Sequence, residues 1–115
     1  MQTAIEQVGD VVVVVLPGGS LDADNAKSFK QEMSPLLGAN AKVVFDMSHL
    51  QFVDSSGLGA LLSCLRQLNA AGGGLMLCGM TKPVRSLFEL VRMDRIFEIF
   101  DTKADAIGAL QGKRD

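Results

Sequence analysis

Residues 52–59 read FVDSSGLG: an acid, two adjacent hydroxyls and two glycines set between an apolar run and the segment ALLSCLRQL. Three chemistries use such residues. A catalytic serine on a nucleophile elbow needs Gly-x-Ser-x-Gly and a histidine base. Val53 stands two before Ser55, Asp54 stands two before Ser56, and the sole histidine, His49, lies upstream on the same connection. A hydrolase is not supported, and no residue is assigned a catalytic role. A phosphate cradle would use Gly57 and Gly59 to free backbone N–H groups at a helix N-terminus. The Lys-Ser/Thr pair of a P-loop and the third glycine of a dinucleotide site are missing, however, and Asp54 would repel the anion. No cofactor is indicated. In the third chemistry the serine is itself the substrate: an exposed hydroxyl at a helix start accepts a phosphoryl group from another protein, gaining roughly two negative charges. The competing structural reading is that Ser55 or Ser56 caps the helix while the glycines permit the turn. Residue chemistry alone leaves both open.

The elements that must position this turn follow from the hydrophobic pattern. TAIEQV is a polar strand and VVVVVL (11–16) a β-branched, uninterrupted one, the mark of a strand covered on both faces. Gly9-Asp10 between them is a hairpin signal. From Leu21 the apolar residues Ala26, Phe29, Met33, Leu36 and Leu37 keep a helical spacing, with Asp22 or Asp24 as cap and Pro35 kinking or ending the helix. KVVFDM (42–47) is a second buried strand leading into the motif. Leu58, Leu61, Leu62, Leu65 and Leu68 form one stripe of the following helix, which GGG (72–74) stops. LMLCG is a strand. TKPVRSLFELVR is a helix with Thr81 as cap and Pro83 in its first turn, IFEIF a short strand, and Thr102 caps a closing helix. The order β-β-α-β-α-β-α-β-α predicts an α/β fold, a mixed, mostly parallel sheet of about five strands with about four helices, in one domain over residues 1–115. In such sheets ligands and partners meet the ends where strands feed helices.

Thirteen acids against eleven bases leave a formal net charge of -2, which offers no footprint for nucleic acid. The longest apolar run is far too short to span a bilayer, and the N-terminus lacks the pattern of a secretory signal, so a cytoplasmic protein without membrane insertion is expected. Cys64 and Cys78, each inside an apolar run, show neither zinc nor disulfide spacing; buried reduced thiols and no metal site are expected.

DSSGLG after an apolar strand, with LDADNAKSF upstream and VRSLFELVRMDRIFEIFDTKADAIGAL downstream, resembles the STAS domain of stand-alone anti-anti-sigma factors, the anti-sigma factor antagonists of partner-switching pathways. The resemblance spans nearly the whole chain in order, and departs from the family's usual pattern in the loop GGSLDADNA and at His49. It implies that Ser55, directly after Asp54, is phosphorylated by an anti-sigma serine/threonine kinase related to histidine-kinase ATPases, with Ser56 as the lesser candidate. It implies that the unphosphorylated protein sequesters this kinase, that the phosphorylated form releases it, and that a PP2C-type phosphatase resets the switch. Asp54 and Gly57 match flanking motif positions, Gly59 completes the motif, and Asp22 matches an acid beside the site. On this reading Phe52, Val53, Leu58, Met80 and Thr81 would meet the kinase, with a core role equally open for Phe52 and Met80. Lys82, Arg85, Arg92 and Arg95 form a basic run that reads first as a solvated helix face. The rival reading is a non-catalytic STAS accessory subunit of a transport or sensory complex.

Overall fold

The computed structural model describes residues 3–112. A hairpin opens the chain: β1 (Ala4–Val8) pairs antiparallel with β2 (Val11–Val15), Ala4 opposite Val15, around a turn in which Gly9 takes φ 61°. Parallel ladders then add β4 (Lys42–Asp46), β6 (Gly74–Cys78) and β7 (Glu98–Phe100), so the main sheet runs β1-β2-β4-β6-β7. The crossovers carry α1 (Ala26–Met33), α2 (Ser55–Ala70) and α3 (Lys82–Leu90), and α4 (Lys103–Gln111) closes the chain. These five strands and four helices follow the expected order.

The valine run is buried on both sides of the sheet. Val14 joins Val43, Phe45, Phe29, Leu61 and Phe88 in the larger core beneath α1, α2 and α3, whereas Val11, Val13 and Val44 pack with Cys78 against Ala106 of α4. Phe29 and Phe45 meet edge-on, with ring centroids 5.6 Å apart, which fastens α1 to the central strand. β1, at the sheet edge, is exposed along Ala4–Gln7, as its polar sequence requires.

Two further strands lie outside the expected order of five. β3 (Gly19–Leu21) and β5 (Leu50–Val53) pair in parallel as a separate ribbon, Leu21 opposite Val53. Leu21 therefore ends a strand, fully buried, instead of opening a helix. Asp22 and Asp24 do not cap α1 either. Its N-cap is Asn25, which makes no side-chain capping bond, and the Asp22 carbonyl accepts from the Asn25 and Ala26 amides at 3.1 and 2.8 Å. α1 ends at Met33, and Pro35 falls in a 3-10 turn, Ser34–Leu36, that its fixed φ suits. Thr81 does sit at the N-cap of α3, yet its hydroxyl donates to the Leu50 carbonyl at 2.9 Å, tying α3 to β5. Only Glu98–Phe100 of IFEIF is strand; a 3-10 turn, Met93–Arg95, takes the approach to it.

Cys64 and Cys78 are free and each about 1% exposed, and burial pushes both thiols up to about 11. Thiolate is the reactive form, so both reactivity and access are low in the folded protein. A disulfide reagent at pH 8 is expected to titrate neither thiol of the native protein within minutes and both after denaturation. Rapid native labelling would contradict this packing.

Candidate functional site

β5 delivers the chain to the motif. Val53, 1% exposed, anchors its end, and Asp54 then adopts an extended conformation (φ -99°, ψ -173°) as the N-cap of α2. One carboxylate oxygen, Oδ1, accepts from the Gly57 amide at 2.9 Å, and the Asp54 carbonyl accepts from the Leu58 amide at 2.9 Å. The other, Oδ2, accepts from the Ala23 amide at 3.2 Å, thirty-one residues away in sequence. Asp54 thus caps its own helix and fixes the turn after β3 to it. The cap is Asp54, not Ser55 or Ser56. Both serines lie in the exposed first turn of α2, and neither hydroxyl has a hydrogen-bond partner among the described residues.

The two glycines differ. A Cβ on Gly57 would lie 2.2 Å from the Leu21 carbonyl oxygen and 2.8 Å from Val53 Cγ1. Glycine is required here by close approach, since its φ is that of an ordinary helix residue. This contact seats α2 on the β3–β5 ribbon, where the Asp54 amide also donates to the Leu21 carbonyl at 3.2 Å. Gly59 meets nothing within 4 Å and its side of the helix is open.

Asp22 is drawn close through its neighbour Ala23. Its own carboxylate accepts from the Ser20 hydroxyl at 2.5 Å and the Asp24 amide at 3.0 Å. The Ser20 hydroxyl first, and then the Asp24 amide, hold that carboxyl below the usual range. Asn25 locks the same turn, accepting from the Asp22 amide at 2.9 Å and donating to the Ser20 carbonyl at 2.8 Å. The acidic side of the site is therefore a rigid loop.

Of the side chains expected to meet a partner, Phe52 is 55% exposed on β5. Val53 and Leu58 are buried, so they support the turn from the core and present nothing outward. Met80 is half-buried against the core, and the Thr81 hydroxyl is spent on Leu50. In the basic run Arg85 pairs with Glu89 at 3.3 Å on α3. Sequence reading missed a cleft between α1 and α2 that begins at Ser56 and runs past Gly59 to Lys27 and Lys30. Only the helix packing shows it; the one hint was a glycine with no turn to make.

The glycines separate in a stability measurement. Gly57→Ala is expected to lose about 2 kcal/mol or more, because backbone must move. Gly59→Ala is expected to gain about 0.5–1 kcal/mol from helix propensity alone. Urea denaturation checks both, and equal responses would contradict the close approach of α2 to Leu21.

Comparison with known proteins bears on the fold as a whole. Across 102 residues the chain is 28% identical to the anti-sigma F factor antagonist of Paenibacillus polymyxa, covering 87% of each. The solved structure of the anti-sigma factor antagonist SpoIIAA in its unphosphorylated form superposes with a TM-score of 0.80 at 26% identity, covering 99% of this chain and 100% of that one. The phosphorylated form of the Bacillus cell fate determinant SpoIIAA superposes with a TM-score of 0.70 at 26% identity, covering 94% and 98%. No described helix is long and apolar enough to cross a membrane. The STAS domain family pattern matches residues 2–106, and the chain belongs to that family.

Proposed function

We propose that this protein is an anti-sigma factor antagonist, a binding protein switched by phosphorylation of Ser55. The observation that carries the reading is the free Ser55 hydroxyl: Asp54 has taken the capping role, so Ser55 stands exposed on a preformed turn with no structural duty. Relatives support it, because antagonists of this fold exist in unphosphorylated and phosphorylated forms.

The chain contributes an acceptor, and its partner does the chemistry. An anti-sigma serine/threonine kinase with a histidine-kinase-like ATPase fold brings ATP to the turn. Ser55 Oγ bonds to the γ-phosphorus, the bond from that phosphorus to the ADP oxygen breaks, and the hydroxyl proton passes to a base on the kinase. A PP2C-type phosphatase returns serine and inorganic phosphate. Before transfer the antagonist holds the kinase and thereby releases the kinase's other client, a sigma factor. After transfer roughly two negative charges stand beside the Asp54 carboxylate and the loop of Asp22 and Asp24. Desolvating such like charges in an interface costs several kcal/mol, enough to dissolve the complex. The fold itself tolerates the group, because a helix N-terminus favours an anion.

Incubation with the cognate kinase and MgATP, followed by mass spectrometry, is expected to place one phosphate on Ser55. Ser55→Ala should abolish modification and Ser56→Ala should keep it. Phosphate on Ser56 alone would overturn the choice of acceptor, and none from a cognate kinase shown to be active would overturn the switch and favour an accessory role in a transport or sensory complex.

A further inference from the structure

We propose that the cleft between α1 and α2 is a docking groove for an acidic segment of the kinase, a second contact that aligns the partner on Ser55. The proposal rests on the phosphorylation-switch reading. The cleft, about 540 Å³, starts at Ser56, the residue after the acceptor.

The charged side chains that line it are lysines, and Ala23, between Asp22 and Asp24, lines its other end. Lys27 and Lys30, one helical turn apart on α1, form one wall; both are exposed, and neither side chain has an ion pair or hydrogen bond among the described residues. The Lys30 ammonium is close enough to α2 for its charge to act on the Cys64 thiol. The floor is small: Ala26, Gly59 and Ala60 leave room for side chains from outside. Gly59 lies inside a helix, where it costs about 1 kcal/mol relative to alanine, and no neighbour or backbone angle demands it. Its effect is to keep the cleft open one turn from Ser55.

The carboxylates of Asp22, Asp24 and Asp54 border the same cleft at the end where Ala23 lines it. Along the cleft the charge therefore runs from acidic at the Ala23 end to basic at Lys27 and Lys30, a pattern that fixes the orientation of a partner carrying the opposite order. Lysines present point charges without a bidentate fork, and they suit carboxylates that slide within an open groove. No aromatic side chain lines the cleft to stack a base, which favours a peptide carboxylate over a free nucleotide.

The test is steady-state phosphorylation of Ser55 by the cognate kinase, with the antagonist as varied substrate. Lys27→Glu/Lys30→Glu should raise KM about tenfold or more, equivalent to about 1.4 kcal/mol, with kcat within about twofold of wild type. Gly59→Leu, which fills the cleft without a backbone clash, should raise KM similarly. Arg66→Glu, a single charge reversal on an exposed position of α2 outside the cleft, should leave KM unaltered, and circular dichroism should show all variants folded. Raised ionic strength should weaken wild type more than the double variant. Wild-type KM values in both cleft variants, with Ser55 still phosphorylated, would overturn the docking groove and leave the switch standing. ADP protecting Lys27 and Lys30 of the free protein from acetylation would assign the cleft to a free nucleotide and overturn it too. Failure of wild type to be phosphorylated would overturn the switch, and the groove with it.

Discussion

One contact governs the site: the first turn of α2 lies against the end of β3 so closely that only a residue without a side chain fits between them. The Gly57 position faces the Leu21 carbonyl at a distance that excludes a Cβ. Asp54 secures the contact from the solvent side, one carboxylate oxygen on the Gly57 amide and the other on the Ala23 amide. Because this acid satisfies the helix end and clamps the neighbouring turn, Ser55 is relieved of both tasks. The exposed hydroxyl is thus a product of backbone packing.

The remainder of the fold holds that contact still. A sheet buried on both faces supplies a platform, with α4 below and three helices above. The β3–β5 ribbon rests on it, and the Thr81 hydroxyl fastens β5 to α3. Charge is then distributed over a rigid frame: a carboxylate loop braced by Ser20 and Asn25, and next along the chain the lysines that α1 turns to the cleft. On such a frame an added phosphate alters the electrostatics of the surface without altering its shape. A binding switch that must be written and erased repeatedly benefits from that separation.

The main sheet was legible because its signals are strong. Five consecutive valines mark a strand with two buried faces, and α2 carries its stripe of leucines. β3 and β5 escaped because three or four residues hold too little alternation to be read, and because each is stabilised by the other across about thirty positions. Leu21 happened to fall at a helical spacing from Ala26 and Phe29, which drew the expected helix start five residues too early. At the motif, Asp54, Ser55 and Ser56 are all good caps; the choice among them depends on Ala23, a residue without any chemical signal. Gly57 and Gly59 look alike in the chain and become distinct only when Leu21 arrives from elsewhere. The cleft likewise belongs to tertiary packing, since nothing in the spacing of Lys27 and Lys30 along one helix reports which residues of α2 lie opposite them.

If Ser55 is a switch on a fixed frame, its phosphorylation must change affinity and leave structure alone. Calorimetric titration of the cognate anti-sigma kinase, loaded with ADP, against unphosphorylated and stoichiometrically phosphorylated protein measures this directly. A loss of affinity of about a hundredfold or more, close to 3 kcal/mol, with an unchanged circular dichroism spectrum is expected. Equal affinity of the two forms would contradict it.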